Sequence, residues 1–195
     1  MSFGMFCAIP MPHKKWDESC ANLVIPFFPI VGLLVGLLWY GVSLLLHLAG
    51  LSTVMLSALL MLFPYAITGF LHVDGFMDTS DAILSRRPLE EKLKILKDPH
   101  TGAFAVVSVL VLFVICFAAA YEVASDAGKL HFLVFMPVIS RSLTGITLLS
   151  LKVMPQSGYG TYFKKNIKAI HKTSLVLTGF IAAVAMCFLY GSKGL

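Results

Sequence analysis

"LVIPFFPIVGLLVGLLWYGVSLLLH", residues Leu23 to His47, contains no Asp, Glu, Lys or Arg. A bilayer's hydrocarbon core takes roughly 20 apolar residues as helix, so this stretch predicts a membrane-spanning helix. Four more runs qualify: about Leu51 to Leu71, Ala103 to Tyr121, His131 to Leu151 and Ser174 to Tyr190. Composition agrees. The 195 residues are 58% hydrophobic and only 13% charged, whereas a soluble domain keeps about a quarter of its residues charged. The expectation is an all-α, polytopic integral membrane helical bundle of about five transmembrane helices, forming a single membrane domain over residues 1–195. Gly32 and Gly36 give the first helix a small-xxx-small face suited to close packing. No internal repeat or low-complexity linker divides the chain. Cys7, Cys20, Cys116 and Cys187 show no C-x-x-C spacing, and Cys116 and Cys187 read as buried small hydrophobes in apolar runs. The N-terminal stretch is a poor signal peptide.

Loop charges orient the bundle. Twelve of the fifteen Lys and Arg residues fall in segments that five spans place on one side: Lys14 and Lys15; Arg86, Arg87, Lys92, Lys94 and Lys97; and Lys152, Lys164, Lys165, Lys168 and Lys172. Lys129 and Lys193 fall on the other. The positive-inside rule puts the first group, and the N-terminus, in the cytoplasm. The net charge of +5 therefore speaks of topology and membrane lipid, not of nucleic acid.

At the end of the second run stands "GFLHVDGFMDTSDAILSRR", Gly69 to Arg87. Asp74, Asp78 and Asp81 are spaced i, i+4, i+7, so on a helix they fall within an arc of about 60° along roughly 10 Å of axis. Carboxylates so close repel one another, and water, protons or a divalent cation must offset that. A hard cation such as Mg²⁺ favours carboxylate oxygens and keeps waters and substrate phosphates as its other ligands. The H-x-D-G-x-x-D-x-x-D run, with His72 leading, thus reads as a metal–diphosphate platform at the membrane surface. The competing reading is a solvated acidic helix end, against which stand the interleaved Phe70, Leu71, Phe76, Met77, Ile83 and Leu84.

The following residues supply complementary charge. Arg86 and Arg87 suit phosphate oxygens. "RRPLEEKLKILKD" predicts an interfacial helix with Pro88 in its first turn and Leu89, Leu93 and Leu96 as its apolar stripe. Lys97 and Asp98 precede the third span in a turn made by Pro99 and Gly102, where Asp98 is either a ligand or a cap. Arg141, inside the fourth run, is expensive in an apolar span and is expected to face a polar partner. "MPQSGYGTYFKKN", Met154 to Asn166, is a loop that could cover a nucleotide.

Together these motifs resemble the cobalamin synthase (adenosylcobinamide-GDP ribazoletransferase) family. The residues that carry the resemblance are "TGFLHVDGFMDTSDAILSRR" with "LKILKDPHTGAF", the upstream "FFPIVGLLVGLL" and the later "ISR". The resemblance implies a Mg²⁺-dependent transferase in a bacterial or archaeal cytoplasmic membrane, with its site on the cytoplasmic side. It would join adenosylcobinamide-GDP to α-ribazole or its 5′-phosphate, releasing GMP. It implies catalytic roles for His72, Asp74, Asp78 and Asp81, metal ligation by the three aspartates, and substrate binding by Arg86, Arg87, Lys97, Asp98 and Arg141. Its partners would be those substrates and membrane lipid, with no nucleic acid and with a homo-oligomer left open. Three features depart from the family: Ala8 replaces an early arginine, Ala82 replaces a common glycine, and a C-terminal Gly-Gly-x-Thr-Gly-Asp segment with a final helix is expected beyond "YGSKGL". The rivals are a CDP-alcohol-type phosphotransferase, whose D-G-x-x-A-R arginine is missing here, a cation transporter, and a non-catalytic membrane scaffold.

Overall fold

The structure is a computed structural model that describes residues 2–8, 18–152, 162–164 and 167–191. Every long element is a helix: α1 (Ser2–Phe6), α2 (Phe28–Leu48), α3 (Thr53–Ile67), α4 (Leu71–Leu84), α5 (Leu89–Ile95), α6 (Ala103–Ala124), α7 (Phe132–Ser150) and α8 (Ala169–Gly191). Short 3₁₀ turns cover Glu18–Leu23 and Ala127–Lys129. Among the described residues four helical stretches are long and apolar enough to cross a membrane, or five if the bent pair α3–α4 counts as one span. The expected all-α, multi-pass membrane architecture is therefore what the chain adopts. The helices cluster into two compact units, Met1–Ala49 with Ala127–Leu195, and Gly50–Asp126. α2 packs on α7 in the first unit, and α3 on α6 in the second.

In the first unit the α2–α7 contact depends on glycine. A Cβ at Gly32 would lie 2.6 Å from the Pro137 carbonyl oxygen, and one at Gly36 would collide with that of Val134. Pro137 sits inside α7 and has no N–H, so the Leu133 carbonyl loses its helical partner. Gly36 brings the α2 backbone close to that carbonyl as well. The small-xxx-small face is thus a true packing surface. The end of the unit nearest residue 28 is sealed by Val24, Ile25, Phe28, Leu149, Phe163 and Leu175, with Phe6 edge-on to Phe28 at 4.6 Å between centroids. On the α7–α8 side, Ser142 faces Thr178 at 3.4 Å, and Gly179 leaves room for the Ser142 side chain.

In the second unit α3 ends where its sequence says it must. The Phe70 N–H donates to Tyr65 O at 2.9 Å and the Gly69 N–H to Ala66 O at 3.1 Å. This is the paired 6→1 and 5→2 pattern of a Schellman stop. Gly69 takes φ 64, which glycine adopts without penalty, but Phe70 follows at φ 59. Two successive left-handed residues turn the chain by 89° before α4 begins. α6 is the scaffold against which both α3 and α4 pack, and Tyr65 Oη lies 3.3 Å from Cys116 Sγ across the α3–α6 contact. The other faces of α6 are apolar and uncovered: Val107, Val114 and Ile115 are all exposed, as lipid contact requires.

Candidate active site

The acidic run is a helix throughout. Asp74, Asp78 and Asp81 all belong to α4, which is continuous over 14 residues. The stripe expected from their spacing is therefore real: about 60° wide and about 10 Å long. Its members differ in setting. Asp74 and Asp78 are exposed and Asp81 is half-buried. Gly75 is an interior helical residue, and the Thr79 hydroxyl donates to its carbonyl at 2.7 Å. His72 also lies in α4 and is exposed. Two residues before Asp74, it stands about 160° round the helix from that carboxylate and directly opposite Asp81. It is close in sequence to the stripe but not on it.

Asp81 has a neighbour that the motif alone does not reveal. A methyl group at Gly102, the residue capping the N-terminus of α6, would collide with the Asp81 carboxylate. The acidic stripe thus abuts the turn that carries Lys97 and Asp98. Asp98 is engaged there: its carboxylate accepts from the His100 backbone N–H at 3.0 Å and meets the ring Nδ1 at 2.6 Å. Those contacts, the backbone N–H first, hold its carboxyl below the usual range. Asp98 thus braces the turn through His100, while the cap of α6 is Gly102, with no side-chain cap hydrogen bond. Lys97 is exposed beside it.

The two arginines follow α4 directly. Arg86 takes φ 53, the left-handed position that ends a helix and that glycine commonly fills. An arginine held there costs about 1–2 kcal/mol of backbone strain. Arg87 pairs with Glu91 one turn into α5, Nη1 to Oε2 at 2.8 Å, with both groups substantially exposed. Glu91 is thus a partner of Arg87 as well as a charge in the first turn of α5, a role that the i, i+4 spacing could have suggested. The interfacial helix spans Leu89–Ile95, with Pro88 as its cap rather than its first residue.

Arg141 belongs to α7 in the first unit. Its Nε is buried without a hydrogen-bond partner among the described residues, an arrangement that leaves a donor ready for an anion. It lies near enough to the Cys7 thiol to draw it downward, but burial is the larger effect and pushes Cys7 above its ordinary value. The stretch from Met154 to Gly160 lies outside the described residues, as do Lys14 and Lys15.

Among the described residues no three His, Cys, Asp or Glu side chains converge on a point able to close round one ion. The donor set still suits Mg²⁺ in its usual mode, where one or two carboxylates hold the ion and substrate phosphates and waters complete the octahedron. Asp74 and Asp78, hard oxygen donors one turn apart on an exposed face, match that mode.

Comparison with known proteins decides the family. The CobS (cobalamin-5-phosphate synthase) family matches over residues 1–195. The chain belongs to the cobalamin-5-phosphate synthase family. A curated Clostridium botulinum (strain Alaska E43 / Type E3) protein named adenosylcobinamide-GDP ribazoletransferase is 43% identical over 192 residues, covering 98% of this chain and 75% of the relative. Proteins of the same name from Clostridium perfringens (strain SM101 / Type A) and Lachnoclostridium phytofermentans are 38% and 33% identical, covering 95% and 94% of this chain and 73% and 69% of the relatives. No solved structure matches. As a cobalamin-5-phosphate synthase family member the chain is a transferase of cobalamin biosynthesis, and the acidic helix of its second unit is the candidate for its chemistry.

Proposed function

We propose that the chain is a Mg²⁺-dependent phosphotransferase that joins adenosylcobinamide-GDP to α-ribazole or its 5′-phosphate and releases GMP. Its site would face the cytoplasm across a bacterial or archaeal inner membrane. The observation that carries this reading is the single carboxylate stripe on α4, followed directly by Arg86 and Arg87. Phosphoryl transfer asks a protein mainly to position two substrates and to neutralise charge. Bound Mg²⁺ would supply the neutralisation at the diphosphate. Asp74 and Asp78 would hold the ion, and Asp81 stands on the same stripe, against Gly102. Arg86, fixed by its backbone, and Arg87, after exchanging Glu91 for a phosphate oxygen, bind the nucleotide's anionic oxygens. Lys97 adds positive charge from the adjoining turn. Arg141 offers its unsatisfied Nε to a substrate anion from its own unit. Of the two α4 side chains able to accept the incoming hydroxyl's proton, His72 and Asp81, only Asp81 lies on the stripe.

The sidedness follows from the basic segments that adjoin the acidic helix and the fourth span. A cation-transport role is disfavoured because the arginines beside the stripe would repel a cation route and attract a phosphate. The test is GMP release by the purified protein in liposomes supplied with adenosylcobinamide-GDP, α-ribazole and Mg²⁺. Release should depend on Mg²⁺ and vanish in Asp74→Asn with the protein still folded. A folded wild type that releases no GMP, or an unaffected Asp74→Asn, would defeat the proposal.

A further inference from the structure

Gly102 has φ −84 and ψ 168, an extended conformation open to any residue, so its backbone does not require glycine. The space beside it, however, is taken by one side chain. The three heavy atoms nearest to where a Cβ would stand all belong to Asp81: both carboxylate oxygens and Cγ. On its other side Gly102 closes the Lys97–Thr101 turn, whose shape Asp98 fixes by accepting from the His100 N–H. The contact joins two elements already packed together, α4 and α6.

We propose that Gly102 is a positioning residue for the phosphotransfer site, acting through Asp81. The proposal rests on the reading of the α4 stripe as a Mg²⁺–diphosphate platform. Asp74 and Asp78 are exposed and can change rotamer freely. Asp81 is half-buried and its carboxylate lies against Gly102, so the space at Gly102 decides which rotamers are open to it. The three carboxylates do not converge as they stand; the rotamers open to the third decide whether it can reach an ion held by the first two. An added methyl at Gly102 turns that carboxylate away while leaving the local backbone conformation allowed.

The experiment is a two-residue cycle in the full chain in detergent: Gly102→Ala, Asp81→Ala and the double variant. Gly102→Ala should lower the melting temperature in the native background. In the Asp81→Ala background it should leave it unchanged or raise it, because alanine restricts the unfolded chain more than glycine. In GMP release, Gly102→Ala should raise the Mg²⁺ concentration for half-maximal activity about tenfold and lower kcat by up to about a hundredfold, the scale of a 1 Å misplacement. The double variant should be no less active than Asp81→Ala alone. If Gly102→Ala fails to fold, the double variant must restore folding, and failure to do so overturns the proposal. So do additive losses in melting or activity, or an unchanged Mg²⁺ requirement in Gly102→Ala. Full activity in Asp81→Ala would instead remove Asp81 from the phosphotransfer reading, while the melting cycle still judges the contact itself.

Discussion

Replacing Asp78 by asparagine should make the metal-free protein more stable and the enzyme inactive. Asp74 and Asp78 stand one turn apart, about 6 Å along the α4 axis. Two like charges at that separation repel by about 3 kcal/mol at an effective dielectric near 20 and by about 0.7 kcal/mol in bulk water. Both are exposed, so solvent screening holds the effect near the lower limit, about 0.5–1 kcal/mol. Asparagine has nearly the same size and helix propensity as aspartate, which leaves charge as the main variable. The assay is thermal unfolding in detergent at low ionic strength, with chelator and then with Mg²⁺. Wild type should gain about 1.4 kcal/mol at ten times the dissociation constant for Mg²⁺. Asp78→Asn should start higher and gain little, and high salt should erase its advantage in chelator. An Asp78→Asn protein less stable than wild type in chelator, or one that keeps the full Mg²⁺ gain, would refute the account of the stripe as a charge platform awaiting a cation.

Further outcomes follow from single contacts. Glu91→Gln should release Arg87, lowering KM for the nucleotide substrate while changing stability by under about 1 kcal/mol, since the pair is exposed; an unchanged KM removes Arg87 from nucleotide binding. Gly36→Ala should destabilise the α2–α7 contact by about 1–3 kcal/mol through overpacking. Gly41→Ala on the same helix, where a Cβ meets nothing, should stabilise by up to about 1 kcal/mol, and equal effects at the two sites in thermal unfolding would deny the packing role of Gly36. Cys7, buried and with its thiol pushed upward, should resist iodoacetamide at pH 8 in the folded protein and react after denaturation; mass spectrometry showing rapid labelling of the folded form would contradict this. Asp98 is held ionised below the ordinary carboxylate range by His100, so its contribution is present above that range and is lost as pH falls through the depressed value. Amide exchange in the Asp98–Gly102 turn should therefore be insensitive to Asp98 protonation from pH 8 to 5 and quicken only below about pH 4, and a transition near pH 5 would tell against the Asp98–His100 contact.

The apolar runs revealed the fold because burial in lipid leaves the backbone few alternatives to helix. Gly32 and Gly36 were legible only in part: their spacing suits close packing but also occurs in ordinary loosely spaced glycines, and the Pro137 and Val134 contacts select the first. Helix ends were less so. The first span begins at Phe28, not Leu23, because the preceding residues form a 3₁₀ segment and turns that carry core residues Val24 and Ile25. The second ends at Ile67, and the last begins at Ala169. Hydropathy does not register a Schellman stop. The carboxylate spacing announced the stripe correctly, since it needs only helical geometry. The same geometry, applied to His72, would have set it apart from the aspartates. What spacing could not supply was tertiary: the seat of Asp81 on Gly102, 21 positions away, and the left-handed Arg86, a residue with no intrinsic preference for that conformation.

The right angle at Gly69 and Phe70 bears on the depth of the aspartates. Were α3 to continue straight along the bilayer normal, Asp74 and Asp81 would differ in depth by about 10 Å, a third of a hydrocarbon layer about 30 Å thick. With α3 upright, the 89° turn lays α4 flat and sets all three carboxylates at about one depth. A level row of carboxylate oxygens presents a negative edge to anything sliding along the lipid headgroups.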